Sequence, residues 1–395
     1  MRHLDQDGMA EVADHRTGWR ADDRAVRSGT LSRFWSVPQL EGAHMSAFHP
    51  PQPTSVAPHG GPLPRHLRPV SGRRTPVSAV LAALATSVLL VGPGVAHADP
   101  ADVPASAMDT AWTTADGFRG SPSLAAPTHI VDVAGVPIAY RRFGQGPTLV
   151  LTPCLGFSMD DWDPALLDRL AATNHVVLFD SDGVGRTPAS SAALSTVRQL
   201  SDQAAGLIQA LHLDRPTLVG YSLGGFVAQR LVVDHPDVVG ALILMGTGPG
   251  GSQQVLPDLP DLIAGAPAFD PTAPADRVIP LYFSDHPDAL AAWRQRTALR
   301  PDRVGVNLTG LNRQRAAMSD WLIDPTANVI ASLPNLRLPT LILGADNDKQ
   351  EPAANSALLH HYINGSELLI YPQLGHAFPF EAPARVAEDI ARFTR

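Results

Sequence analysis

Between Thr217 and Val232 the chain reads TLVGYSLGGFVAQRLV: an apolar run passes into a helical pattern with no loop between them, and Ser222 stands at the join, flanked by Gly220, Gly224 and Gly225. Where a strand turns directly into a helix the two backbones come close, and glycine leaves no side chain to collide. The sharp turn carries the serine oxygen clear of the backbone at the top of the sheet. The N–H groups that open the helix lack a partner within it, so they can face a developing negative charge. A plain N-cap serine followed by packing glycines would account for Ser222 alone, but not for the whole G-x-S-x-G pattern set between an apolar strand and a helix. The stretch therefore predicts both a parallel α/β architecture and a nucleophile at Ser222.

The rest of the chain supports that architecture. HIVDV and VPIAYRRFG flank Ala134-Gly135 as a hairpin, and PTLVLT (147–152) reads as a buried strand. Ser158 with Asp161 predicts a capping box opening a helix whose inner face carries Trp162, Leu166, Leu167 and Leu170. HVVLFD (175–180), a helix over 195–211, PTLVG (216–220), the helix after Ser222 and VGALILMG (239–246) repeat the βα unit, and PTLILG (339–344), ELLIYP (367–372) and a helix over about 382–393 resume it. Such alternation implies a mostly parallel sheet with helices on both faces. Between about 247 and 334 the rhythm breaks into Pro-rich turns and helical pieces, predicting a helical cap over the carboxyl ends of the strands, where open parallel sheets hold their ligands.

A serine hydroxyl needs a base, and the base an orienting acid. His376, in YPQLGHAF after the last strand, lies where the sheet would deliver a base; His360 and His361 fall in a helix, and His212 and His235 end helices. LILGADNDKQEP ends a strand with two candidate acids, Asp346 and Asp348, of which Asp348 lies farther beyond the strand and immediately before a turn and Pro352. The order Ser222, Asp348, His376 is the triad order of this architecture. Other motifs carry less. GTGPGG (246–251) fits G-x-G-x-x-G but is followed by prolines rather than a clear helix, so it reads as a flexible lead-in to the cap. Asp180 and Asp182 beside Gly183 and Gly185 read as a tight turn rather than a metal site. Asn307-Leu308-Thr309 and Asn364-Gly365-Ser366 are glycosylation sequons by pattern alone. The lone Cys154 excludes an intrachain disulfide and reads as a packing residue.

From about His129 to Arg395 the chain resembles the α/β-hydrolase superfamily, on the strength of GYSLGG, LILGADND and the LGHAF loop. FGQGPTLVLTPCLGFSMDDWDPALLDRL, VVLFDSDGVGRT and LMGTGPGG look like its esterase-like and cofactor-free haloperoxidase-like members. The resemblance implies an α/β-hydrolase fold over 128–395 and no cofactor or metal. It places the oxyanion donors at the backbone N–H groups of Leu155 and Leu223. Two positions depart from the family pattern: Pro153-Cys154 stands where His-Gly is frequent, and Asp182 where an arginine is usual. The expected activity is serine-dependent hydrolysis of a small apolar ester or lactone. A perhydrolase of haloperoxidase type or a lyase could use the same triad, and a noncatalytic binding module is the rival from another class.

Composition bounds the rest. With 395 residues, 44% of them hydrophobic, there is ample chain for a large core. The net charge is +3 over Met1–Ala98 and −11 from Asp99 onward, the opposite of what a nucleic-acid binder needs. Arg65, Arg68, Arg73 and Arg74 precede the apolar run VSAVLAALATSVLLVG (77–92), followed by AHA at 96–98. That is the pattern of an export signal cleaved after Ala98. The alternative is a membrane anchor, since the run falls little short of the roughly 20 residues a spanning helix needs. Residues 1–64 read as a disordered leader, with Met45 as an alternative start, and 99–127 as a linker. Secretion or a periplasmic or cell-surface location follows, with a small-molecule substrate as partner and membrane contact only if the apolar segment is retained. Oligomeric state has no signature in the sequence.

Overall fold

The computed structural model describes residues 96–97, 118–191, 195–256, 279–283, 286–324 and 326–395. Residues 1–95, with the apolar run 77–92 expected to be an export signal, and the position after Ala98 lie outside them. In chain order the strands are β1 (Ala96–His97), β2 (His129–Val133), β3 (Val136–Phe143), β4 (Thr148–Thr152), β5 (His175–Phe179), β6 (Thr217–Tyr221), β7 (Ala241–Met245), β8 (Thr340–Ala345) and β9 (Glu367–Tyr371). The helices are α1 (Pro122–Ala125), α2 (Pro164–Ala171), α3 (Val197–Ala210), α4 (Leu223–Asp234), α5 (Pro287–Thr297), α6 (Leu308–Ile323), α7 (Ala353–Tyr362), α8 (Phe378–Glu381) and α9 (Pro383–Phe393).

The strands form one sheet in the order β1-β9-β8-β7-β6-β4-β5-β3-β2. Only the β2–β3 and β3–β5 pairings are antiparallel. The inner strands TLVLT, HVVLF, TLVGY, ALILM and TLILGA are apolar runs, as expected for parallel strands covered on both faces. Helix α4 is buried from Leu223 through Val232, so it packs as a central element rather than a surface one. Helix α9 is amphipathic, with Val386, Ala387 and Ile390 turned inward. β1 lies on the leader side of the expected cleavage position and pairs in parallel with Leu369 and Ile370 at the edge of the sheet.

Several local expectations shift. Ser158 and Asp161 do bond, Ser158 N–H and Oγ both donating to Asp161 Oδ2 at 2.7 and 2.9 Å, but they lie ahead of the helix. Helix α2 begins at Pro164 with Asp163 as its cap, accepting from Ala165 N–H at 2.9 Å. Pro164 decides this, because its fixed φ and missing N–H suit the first helical position. The segment expected as linker is packed from Phe118 onward: Ser123 N–H donates to Asp168, and Arg300 donates to the carbonyls of Leu124 and Ala126 at 2.8 and 2.9 Å. Buried carbonyls need such donors, and sequence composition carries no sign of an arginine arriving from so far along the chain.

The insertion between β7 and β8 holds, among its described residues, the 3₁₀ turn Ile279–Phe283 and helices α5 and α6, with no strand. It is fastened to the loop after β4. Arg296 grips Asp163 through two nitrogens, Trp293 Nε1 donates to the Asp161 carbonyl at 3.0 Å, and Val304 N–H donates to Asp160 Oδ2 at 2.8 Å.

Candidate active site

The register of the parallel strands sets the site. Thr152 pairs with Gly220, Tyr221 with Met245, and Ala345 with Tyr371. The loops after β4, β6, β7, β8 and β9 therefore leave the sheet at one edge. They carry, in turn, Cys154-Leu155, Ser222, Gly246-Thr247, Asp348 and His376.

Ser222 has φ 54° and ψ −116°, a conformation a non-glycine residue rarely adopts. The glycines around it leave no alternative. A Cβ on Gly224 would sit 2.1 Å from the Thr152 carbonyl oxygen, and one on Gly220 would sit 2.5 Å from that of Gly224. The turn is pinned by Ser222 N–H donating to Met245 (2.9 Å) and by Thr247 Oγ1 donating to the Ser222 carbonyl (2.9 Å). Gly225 and Phe226 N–H groups donate to the Ser222 carbonyl, so Leu223 N–H stands ahead of the first hydrogen-bonded turn of α4. Thus GTGPGG, expected as a flexible lead-in to the cap, is buried from Gly246 through Gly250 and braces the serine.

The same strand end reaches the base. A Cβ on Gly246 would lie 3.4 Å from both Asp348 Oδ2 and His376 Nδ1. Those two atoms are 2.8 Å apart, with both side chains buried. Asp348 Oδ1 accepts from the N–H groups of Gln350 and Glu351, each at 2.8 Å, so the carboxylate is oriented from behind. Of the two acids legible in the sequence, Asp348 is the one that meets the imidazole. Asp346 instead accepts from Gln373 N–H at 2.6 Å and shapes the loop that leads to His376. Burial disfavours the imidazolium, but the charge and hydrogen bond of Asp348 outweigh it and hold the pKa of His376 well above 6.5.

Three aromatic and carboxylic neighbours of His376 were not anticipated. Tyr221 stacks on the imidazole with ring centroids 5.2 Å apart, and its hydroxyl donates to the His376 carbonyl at 2.8 Å. Tyr282, from the inserted 3₁₀ turn, meets the ring edge-on at 4.9 Å. Glu381 accepts from Gly375 N–H at 2.9 Å, next to the histidine. Glu351, bonded to Gln254 and Asn355, is pushed up to about 8, by burial first and by the nearby Asp348 charge second. Tyr221 could have been suspected from its place inside G-x-S-x-G and Glu381 from lying five residues beyond His376; Tyr282 comes from a piece of chain with no sequence mark. Cys154 is buried as expected for packing, yet its Sγ lies 3.8 Å from His376 Nε2, beside the nitrogen that would act as base.

The remaining sequence candidates find structural roles. Asp180 accepts from Met159 and Arg186 N–H groups at 2.7 and 2.8 Å, and burial pushes its pKa to about 7. Asp182, where an arginine is usual, accepts from Arg313 of α6 at 2.6 Å and from Ser190, so the cap supplies the cation. Asn307 caps α6, accepting from Gly310 N–H at 2.8 Å.

A doubly covered parallel sheet, a strained serine between strand and helix, and a buried Asp–His pair at the same edge define a hydrolase of the α/β class. Residues 149–389 match the alpha/beta hydrolase family, and the chain belongs to it. It is 27% identical over 270 residues to 2-hydroxymuconate semialdehyde hydrolase from Pseudomonas sp. strain CF600, an alignment spanning 66% of this chain and 91% of that protein. It is 26% identical to pimeloyl-[acyl-carrier protein] methyl ester esterase from Aeromonas hydrophila, over 65% of this chain and 98% of that one. Among solved structures, an alpha/beta hydrolase fold protein from Chitinophaga pinensis superposes with a TM-score of 0.60 at 25% identity, covering 69% of this chain and 98% of that one. The chain is thus a hydrolase-family enzyme by fold and kinship.

Proposed function

We propose that the protein is a serine hydrolase that cleaves a carboxylic ester or lactone of a small apolar substrate through an acyl-enzyme. The observation that carries this reading is the buried His376 Nδ1···Asp348 Oδ2 contact of 2.8 Å, held against the same strand end that braces the strained Ser222. Kinship with a methyl ester esterase favours the ester over other acyl substrates.

In this reading Asp348 keeps the ring proton on Nδ1, so that Nε2 is unprotonated and takes the Ser222 proton as Oγ attacks the carbonyl carbon. The N–H groups of Leu155 and Leu223 stabilise the tetrahedral oxyanion, a contribution on the order of 100- to 1,000-fold per donor. His376 then returns its proton to the departing alkoxide. Water, deprotonated by the same nitrogen, releases the acid.

A fluorophosphonate probe tests the assignment. Wild-type protein should label, and Ser222→Ala should not; a wild type that fails to label under conditions that label ordinary serine esterases defeats the proposal. A panel of p-nitrophenyl esters of increasing acyl length then ranks substrates, with short apolar chains expected to turn over fastest. We also propose export, with cleavage after Ala98. Amino-terminal sequencing of protein from the culture fluid should begin at Asp99, whereas recovery only in the membrane fraction would identify an anchor.

A further inference from the structure

Tyr221 ends β6 and is joined by a single peptide bond to Ser222, so its Cα lies about 3.8 Å from that of the proposed nucleophile. Its side chain is fully buried and reaches the other end of the proposed triad. The ring stacks on the imidazole of His376 with centroids 5.2 Å apart and planes 30° from parallel, and Oη donates to the His376 carbonyl at 2.8 Å. One side chain thus touches both the ring and the backbone of the base. Phe157, Trp162 and Phe380 surround the phenol, with ring centroids 6.2, 6.0 and 5.6 Å away, and this close packing holds it in place.

The bond falls on a peptide unit that governs where the imidazole points. The His376 carbonyl belongs to the peptide joining His376 to Ala377, which starts at the Cα that bears the ring. The other end of the unit is held as well, since Ala377 N–H donates to the Tyr282 carbonyl at 3.2 Å. With that plane clamped, rotation about the His376 Cα–C bond is blocked, and the direction in which Cβ leaves the chain is set. Asp348 then fixes the ring through Nδ1 at 2.8 Å, and the face of Tyr221 fixes its tilt. Packing alone does not explain the hydroxyl. Phenylalanine would fill the same space without a buried polar group, and a buried hydroxyl is costly unless it is bonded.

We propose that Tyr221 is a positioning residue that holds His376, by its carbonyl and by its ring, in the orientation that presents Nε2 to Ser222. The proposal rests on the serine-hydrolase reading and adds to it a brace between nucleophile and base within one dipeptide. Because Tyr221 and Ser222 share a strand end, any shift of β6 carries the hydroxyl to be deprotonated together with the support of its base. The residue before the serine in G-x-S-x-G thereby has a task of its own in this chain.

The test compares Tyr221→Phe, Tyr221→Leu and Tyr371→Phe with wild type. Tyr371→Phe is the control for a lost buried hydroxyl, since Tyr371 Oη donates to Asp389 at 2.8 Å rather than to the base. Each is followed by kcat and KM on a p-nitrophenyl ester, thermal unfolding, and the far-downfield proton resonance of His376 Nδ1–H. Tyr221→Phe should lower kcat about 10-fold and Tyr221→Leu, which also removes the stacked ring, about 100-fold, the scale of a misplaced reacting group. His376 serves both acylation and deacylation, so the two steps slow together and KM, which depends on their ratio, should stay within about twofold. The resonance should shift or broaden in both Tyr221 variants and stay in place in Tyr371→Phe, which keeps its kcat. Tyr221→Phe carries the decision if Tyr221→Leu does not fold. Wild-type kcat with an unmoved resonance in Tyr221→Phe overturns the proposal, as does an equal loss of kcat in Tyr371→Phe or a raised KM at unchanged kcat. Failure of the wild type to label with the fluorophosphonate overturns the serine-hydrolase reading instead, and that control tells the two results apart.

Discussion

Replacing Asp348 by asparagine probes the proposed triad with almost no change of shape. Oδ1 of Asp348 accepts from two backbone N–H groups, and Oδ2 faces His376 Nδ1 at 2.8 Å. An asparagine can leave its oxygen on those N–H groups, which turns its NH₂ toward Nδ1. Nδ1 must then accept, the ring proton moves to Nε2, and the nitrogen meant to take the Ser222 proton is no longer a base. The loss in kcat should be about ten-thousand-fold, the scale known for the matching change in a serine protease, or roughly 5.4 kcal/mol of transition-state stabilisation. The pH profile carries independent information. In the wild type, burial lowers the pKa of His376 but the Asp348 charge and hydrogen bond raise it further, so kcat/KM should climb with pH through a value above 6.5. In Asp348→Asn the largest of the raising influences is gone while burial remains, and that limb should move to lower pH. The linked stability has the sign of a raised folded-state pKa: the Asp348–His376 contribution is full below 6.5 and fades as pH rises through the folded value. Stopped-flow ester hydrolysis between pH 5 and 10, with thermal unfolding alongside, checks all three. A drop smaller than tenfold with the limb unmoved would refute the reasoning.

Gly224→Ala should destabilise the protein by about 1–3 kcal/mol and abolish probe labelling, because the new methyl meets the Thr152 carbonyl oxygen at 2.1 Å and only backbone can yield; a normal melting curve with full labelling counts against the close packing of α4 on β4. Cys154→Ala should keep serine labelling, with modest losses from the vacated space. If labelling vanishes there and survives in Ser222→Ala, the thiol beside His376 Nε2 is the nucleophile. Glu351→Gln preserves the acceptor for Gln254 and Asn355 while removing a group whose pKa is raised from 4.5 to about 8. That contribution to stability is full below 4.5 and lost as pH rises through about 8, so the variant should gain on wild type by on the order of 1–3 kcal/mol at alkaline pH and not at pH 4. A pH-independent difference in melting temperature would show that Glu351 ionises normally.

Local chemistry made much of the fold legible. Apolar, β-branched runs such as TLVLT and ALILM read as strands buried on both faces, and Ser222 among its glycines as a strand-to-helix turn, because each depends on sterics and periodicity within a few residues. The same locality misled where proline intervened: Ser158 and Asp161 have the chemistry of a capping box, but Pro164 starts the helix later. Asp346 and Asp348 show the limit. Two residues apart in one loop, they were separated by an argument from position, and their different partners, Gln373 N–H and the His376 ring, depend on how β8 and β9 pair.

What the residues alone determined about this protein is therefore the scaffold and the kind of chemistry at its edge: a parallel sheet, a serine forced outward, an imidazole and an acid in the right order along the chain. Tertiary structure decided which groups surround them. Tyr282 and the Cys154 thiol reach the imidazole from segments far apart in sequence, and no spacing rule reaches across such separations. A strand or a turn is written in contacts between near neighbours, whereas the surroundings of a buried imidazole are set by contacts that exist only once the whole chain has closed around it.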